Sequence, residues 1–454
     1  MRLYAALFFL FLLSCSGKSV ESQKDLDSEE KGQIWEYEII GNISNEGFES
    51  EKIFLYETEG KDIFLLDTAS VNEGRFVFRL TKPEMGIYKI GIHRHDLHDF
   101  IINPIEEKIE LVLNGTSFSR QMKHNFSEEN DLYGQYQLEK QKHNQRISAV
   151  KREKLDRKTK LLKIRNEQEK LKEIEKGLAQ KNPELFAAKI INIAQSPHRF
   201  DKDRYWNDID FTDESLIHSS MLNDRIQDFM RSHGKGGLEG NDGFMNAVDF
   251  IYAISNKNER VMNFMLYAMM EGFYGSNMTE VSSYIIDNYI YGDACGTQEV
   301  SDLIKQKAQG IRSLEIGQSP PNFEINDEEG KAVRFDQVAG SNSYTALFFW
   351  ASWCHKCENE IPMLKTTYET YSSQGFEVIG VALDKDEEAW RKSIQTKECN
   401  WINVSQLEEW QSPVVKDYRV NSTPAFFLVN DKKELVFKCR SAAALNNWLS
   451  RNIN

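Results

Sequence analysis

An N-terminal antiparallel β-sandwich, a helical middle region and a C-terminal α/β domain are the three parts this sequence predicts, and three local patterns predict them. Between Ile34 and Leu113, apolar and polar residues alternate in short runs broken by turn residues. From Gln135 to Lys176 there is neither glycine nor proline. Near the C-terminus, the apolar run Ala346 to Trp350 passes through a short turn into a segment with helical composition, Glu358 to Ser372. Period-two alternation builds sheet, an uninterrupted polar stretch builds helix, and a strand feeding a helix is the unit of an α/β layer.

The 454 residues suffice for roughly three domains, and 40% hydrophobic with 28% charged residues is a globular composition. A net charge of -14 argues against a broad basic surface, so no nucleic-acid partner is expected. At the N-terminus, Arg2 precedes the apolar run Leu3 to Leu13, which stops at Ser14-Cys15-Ser16-Gly17. That run is too short to span a bilayer and has the shape of a secretory signal. Leu12-Leu13-Ser14-Cys15 resembles a bacterial lipobox, which implies acylation of Cys15 and a membrane partner reached through that lipid. An ordinary signal peptide with an incidental cysteine is the other reading. Asp, Glu, Lys, Ser and Gly dominate Ser16 to Gly32, a tether composition. The expected division is a lipoprotein signal peptide at 1–14, a flexible tether at 15–33, a β-sandwich-like domain at 34–125, a helical domain at 126–313 and a last domain at 314–454.

The sandwich rests on Trp35 to Ile40, Lys52 to Tyr56, Phe64 to Val71, Arg75 to Leu80, Tyr88 to Ile92 and Ile109 to Leu113, with Asn45-Glu46-Gly47, Glu73-Gly74 and Asn114-Gly115 between them. It is similar to the front domain of many Bacteroidota thioredoxin lipoproteins. His93, His95 and His98 cluster after one strand, but no carboxylate or cysteine is fixed beside them by the sequence, so no metal site is assigned. In the middle region, Ile147, Val150, Leu161, Ile164, Leu171 and Leu178 form a narrow apolar stripe. It suits a long helix or a helical hairpin packed along that face, with a dimerising coiled coil as the alternative. Val248 to Ile254, Val261 to Tyr274 and Val281 to Tyr291 are expected as shorter helices, and the Met and aromatic residues of Met262 to Tyr274 as core.

Chemistry concentrates in Trp350-Ala351-Ser352-Trp353-Cys354-His355-Lys356-Cys357. If Cys354 opens a helix, unpaired backbone N–H groups and the helix dipole stabilise a thiolate there. Cys354 is then the attacking sulfur, and Cys357, one turn on, resolves the mixed disulfide. A zinc-binding Cys-x-x-Cys needs further ligands at suitable spacing, and none accompanies it. Of the other cysteines, Cys295, Cys399 and Cys439 are an odd number, so at least one thiol lacks a partner within the chain.

Trp350-Ala351-x-Trp353-Cys354-x-x-Cys357 resembles the active-site signature of thioredoxin-like proteins, particularly the TlpA/ResA group of extracytoplasmic disulfide reductases. Pro320, Asn322-Phe323 and Gly330-Lys331 resemble that group's opening hairpin. Val378 to Leu383, Asp384, Trp390 and Trp401 to Val404 resemble its third strand and the segment inserted after it. Thr423-Pro424, before the strand Ala425 to Val429, stands where the family has a cis-proline facing the cysteines. The resemblance implies an α/β thioredoxin fold for 314–454, a substrate groove shaped by Trp353, Thr423 and Pro424, and a proton-carrying role for Glu360. A solvated glutamate in a first helical turn is the equal alternative for Glu360. Phe348 stands where thioredoxin has a buried acidic residue. His355 and Lys356 replace the Gly-Pro of thioredoxin and bring two potential cations to the thiolate, which would make the pair more oxidising.

Together these features predict a lipid-anchored thiol:disulfide oxidoreductase of the cell envelope, facing the periplasm or the cell surface. Its partners would be client proteins with disulfides and a membrane or soluble thiol electron donor, and it would need no cofactor. By family resemblance the net direction is reduction, for example of apocytochrome cysteines during cytochrome c maturation. A cell-envelope binding lipoprotein with an accessory thioredoxin domain is the alternative, since about 280 residues carry no catalytic signature. A peroxidase fits less well, because it would not need Cys-x-x-Cys.

Overall fold

A computed structural model describes residues 37–44, 46–48, 51–194, 198, 201–234, 240–276, 278–292 and 299–453. The expected signal peptide, the tether with Cys15, and Cys295 lie outside the described residues. The chain divides into two compact units, one comprising residues up to Tyr56 with Leu65–Asp131, the other Glu57–Phe64 with Leu132–Asn454.

Eight strands make up the sheets, β1 (Tyr37–Ile43), β2 (Lys52–Glu59), β3 (Asp62–Ser70), β4 (Arg75–Leu80), β5 (Gly86–Gly91), β6 (His98–Ile102), β7 (Lys108–Leu113) and β8 (Met122–Asn125), all within the first unit except the end of β2 and the start of β3. They form two four-stranded sheets, ordered β4-β1-β7-β8 and β3-β2-β5-β6. Alternate side chains of both sheets, among them Ile39, Leu55, Phe78, Ile90, Phe100 and Leu111, meet in one buried cluster, which is why the strands read with period two. The expectation of an entirely antiparallel arrangement is corrected at one pair, since β1 and β7 run parallel with Ile39 opposite Ile109. The chain traverses the other sheet between these two strands, so no hairpin constrains their direction.

The three histidines do not act together. The His93 and His95 rings stack at 5.3 Å, whereas His98 lies parallel to Phe100 at 6.5 Å. Burial pushes the His98 pKa down from 6.5 to about 4, partly opposed by Asp99. A folded-state pKa below the unfolded value means that the folded form keeps His98 neutral while the unfolded chain binds a proton. Its share of stability is therefore present above pH 6.5 and lost as pH falls towards 4. His98→Phe is expected to remove this acid sensitivity and to outlast the wild type by on the order of 2 kcal/mol near pH 4. Urea unfolding followed by circular dichroism at pH 7 and pH 4 measures the difference.

In the second unit, α1 (Glu128–Arg152) is followed by α2 (Arg157–Lys181). The two form a hairpin in place of one long helix. The chain turns at 153–156, where the Asp156 carboxylate accepts the N–H of Thr159 at 3.0 Å, an N-cap that starts α2. Arg146 then reaches Glu167 across the pair at 3.0 Å. Shorter helices follow: α3 (Phe186–Ile193), α4 (Met221–His233), α5 (Asp242–Ser255), α6 (Glu259–Gly275), α7 (Thr279–Ile285) and α8 (Asp302–Arg312). Met262, Met265, Met269 and Met270 of α6 are buried, the core role their helical spacing predicts.

The C-terminal part opens with the hairpin β9 (Glu324–Asn326) and β10 (Ala332–Arg334), turned at Gly330, whose φ of 84° favours glycine. The order is then α9 (Phe335–Ser341), β11 (Tyr344–Trp350), α10 (His355–Tyr371), β12 (Phe376–Ala382), α11 (Glu387–Lys397), β13 (Ile402–Ser405), α12 (Pro413–Asp417), β14 (Ala425–Asn430), β15 (Leu435–Cys439) and α13 (Ala442–Asn452). The sheet order is β13-β12-β11-β14-β15. β11, β12 and β13 are parallel, and β14 and β15 add antiparallel. This βαβ half joined to a ββα half is a thioredoxin-like arrangement. β11 lies centrally and is covered on both faces, so its sequence is a continuous apolar run.

Candidate active site

Every apolar side chain of β11 is needed in the core up to Trp350, and the chain then breaks into a turn at Ala351 to Trp353. Cys354 is the N-cap of α10, and its Sγ accepts the N–H of Cys357 at 3.1 Å. The two cysteines are joined as a disulfide, with their Cα atoms 5.3 Å apart. Cys354 retains 7% of its surface, whereas Cys357 has 0%. The first cysteine thus keeps a small exposure and the second none. The Thr423 hydroxyl donates to Cys354 Sγ at 3.2 Å, and the Thr423–Pro424 peptide that follows is cis. Residues 69 positions apart are brought together because β14 pairs with β11.

The turn before Cys354 is held by Asp384, two residues past the end of β12. This carboxylate is 1% exposed. It accepts the Ser352 N–H at 3.0 Å and the Ser352 hydroxyl. Burial pushes its pKa up, against those hydrogen bonds. In the sequence Asp384 figures only as part of a strand match, yet an acid directly after the apolar run Val378 to Leu383 is a signal that it serves the neighbouring loop.

Residues 316–438 match the AhpC/TSA family. Thiol-disulfide oxidoreductase ResA of Bacillus thuringiensis (strain Al Hakam) is 31% identical over 128 residues, which cover 27% of this chain and 68% of that protein. The chain belongs to the ResA family of thiol-disulfide oxidoreductases. ResA of Bacillus subtilis (strain 168) is 28% identical over 127 residues, 28% of this chain and 68% of its own length. A crystal structure of the thioredoxin domain of a thiol-disulfide oxidoreductase from Bacteroides vulgatus is 28% identical, covering 31% of this chain and 100% of that one with a TM-score of 0.30.

The ResA-family domain is thus a thiol-disulfide oxidoreductase with a thioredoxin-like fold, and its remaining residues fall around the cysteines as follows. Glu360, one turn beyond Cys357, is half-buried, and its Oε2 accepts the N–H of Ala442 at 2.7 Å. It therefore reaches the N-terminus of α13, a contact across 82 residues. His355 is exposed and places Nδ1 3.2 Å from Glu358. Lys397 lies 3.1 Å from that carboxylate, and the hydrogen bonds from Lys397 foremost and from His355 hold the Glu358 pKa down. Lys356 is exposed.

Trp353 is 53% exposed beside Trp410, with ring centroids 6.4 Å apart. Trp410, which no sequence motif singles out, enters from the short 3-10 helix Glu409–Gln411 after β13. Phe348 stacks on Phe426 at 4.7 Å. Cys399 and Cys439 are free thiols. Burial pushes Cys399 up to about 12 and Cys439 up to about 11, which makes both poor nucleophiles.

Proposed function

We propose that the chain is an extracytoplasmic, membrane-anchored enzyme that reduces disulfides in client proteins. The observation that carries the reading is the contrast between the two cysteines, Cys354 at a helix N-terminus with a remnant of exposure and Cys357 fully buried one turn on. In the reduced enzyme, the Cys354 thiolate attacks one sulfur of a client disulfide. A Cys354–client bond forms, and the second client sulfur leaves as a thiolate that takes up a proton. Cys357 then gives up its proton and attacks Cys354, which closes the enzyme disulfide and expels the first client sulfur. Two electrons and two protons pass to the client, and an external dithiol, soluble or membrane-borne, returns them.

In this reading Thr423 and Pro424 line the client groove, and Trp353 offers apolar contact with Trp410 beside it. If His355 and Lys356 both sit near the Cys354 thiolate, they favour it and make the pair more oxidising. Cys15 carries the lipid and residues 15–33 tether the molecule. A sandwich-like domain at 34–125 is supported by two sheets sharing one core, and a helical domain covers 126–313. The test is insulin reduction by the full chain with dithiothreitol as donor. Acceleration over dithiothreitol alone is expected, and an equal rate removes the proposal.

Glu360 is assigned the proton exchange with Cys357. Glu360→Gln still accepts the Ala442 N–H, so the contact with α13 survives and only proton transfer is lost. Release of client from the mixed disulfide is expected to slow by about 10²-fold and to lose its pH dependence, while the first attack by Cys354 is unchanged. Stopped-flow measurement of both steps across pH reads this out. An unaltered release profile would leave Glu360 as a cap of α13.

A further inference from the structure

A cleft of about 550 Å³ lies beside the Thr423–Pro424 turn, lined on one side by Ser422 and Ala425. Its other wall comes from the helical region, with Tyr274 of α6 and Thr279 of α7. Three cations line it, Arg419, Lys438 and Arg440, and its lining among the described residues includes no carboxylate. That is unexpected on a chain of net charge -14. Tyr274 joins the walls, its ring centroid 5.7 Å from the Arg419 guanidinium and 5.6 Å from Lys438 Nζ, within cation–π range.

The three cations differ in how far they are neutralised. Arg419 ion-pairs with Glu271 of α6 and donates to the Lys307 carbonyl at 3.1 Å. Lys438 donates to the Leu314 carbonyl at 2.8 Å, and Arg440 to the Asn421 side-chain oxygen at 3.3 Å. Both hydrogen bonds are to neutral oxygens. Burial pushes the Lys438 pKa down while Glu315 opposes that shift, so a carboxylate entering the cleft would relieve a desolvated charge.

We propose that this cleft selects client segments that carry an acidic residue next to the reacting cystine, with Tyr274 and Thr279 of the helical region forming one wall of the recognition site. The selection rests on the reductase reading above. Ser422 of the cleft immediately precedes Thr423, whose hydroxyl touches Cys354 Sγ, so residues flanking a client disulfide held at Cys354 would extend towards Lys438 and Arg440. The helical region thereby acquires a part in choosing clients.

The test uses the reduced full chain and two disulfide-bridged peptides of identical sequence except for Glu or Lys flanking the cystine. At low salt the Glu peptide is expected to have a kcat/KM about tenfold higher, and the ratio to approach one near ~0.5 M salt. Lys438→Gln combined with Arg440→Gln is expected to bring the low-salt ratio close to one, whereas Lys438→Arg with Arg440→Lys retains it. The ratio is internal to each protein, so a general loss of activity does not imitate the effect. A wild-type ratio of one, or a ratio that persists in the neutral double variant, overturns the proposal. Uncharged bis(2-hydroxyethyl) disulfide separates the two readings. If the wild type fails to reduce it and both peptides, the reductase reading falls and client selection falls with it. If it reduces all three without discrimination, only client selection falls.

Discussion

Cys354→Ser is expected to abolish disulfide reduction, lowering steady-state insulin turnover by at least ~10³-fold. A hydroxyl at this position keeps the N-cap contact with the Cys357 N–H but supplies no thiolate, so the fold should survive and the chemistry should not. Cys357→Ser behaves differently. Its position is closed to solvent, so it acts after the client is bound, and its loss leaves a single attack by Cys354 within a few-fold of wild type. Alkylation of the reduced enzyme at mildly acidic pH provides the independent check, with Cys354 modified first. If Cys357 were modified faster, the two roles would be exchanged.

Phe348→Ala carries the second large expected effect. Phe348 lies in the central strand, fully buried, stacked on Phe426 at 4.7 Å and on Trp350 at 6.1 Å, with Trp401 at 6.5 Å. Removing the ring opens a cavity that these aromatic neighbours fill only in part, so a loss of about 3–5 kcal/mol is expected. Phe348→Leu keeps most of the volume and should cost well under half of that. Urea midpoints of the full chain compare the three proteins. A loss below about 1 kcal/mol for the alanine variant would mean that the layer beneath α10 collapses freely, contrary to the tight aromatic packing described.

What the sequence revealed of the site was local. β11, the Cys-x-x-Cys turn and α10 form one continuous segment, and a strand feeding a helix through a cysteine cap is visible without any tertiary information. Thr423-Pro424 is recognisable only through the family resemblance, from its place before the strand Ala425 to Val429. The contacts that complete the site are not local. Glu360 meets Ala442 across 82 residues, and Ser352 meets Asp384 across 32, and no periodicity encodes such pairings. Trp410 joins Trp353 from a segment in which Leu407 and Glu409 adopt positive φ, a path that the residue types there do not announce. In the first unit, alternation identified strands but left open the direction in which β7 lies against β1, since either direction buries the same Ile109, Leu111 and Leu113. The cleft depends on Tyr274, Arg419 and Lys438 together, and each alone reads as an ordinary core or surface residue.

The central claim is that Cys354 is the sulfur that attacks a client disulfide, and trapping the intermediate tests it most directly. Reduced Cys357→Ala protein is mixed with oxidised insulin, quenched with an alkylating agent and mapped by mass spectrometry. One mixed disulfide is expected, at Cys354, because burial holds Cys399 and Cys439 as thiols. Absence of an adduct, or an adduct on Cys399 or Cys439 in place of Cys354, would contradict it.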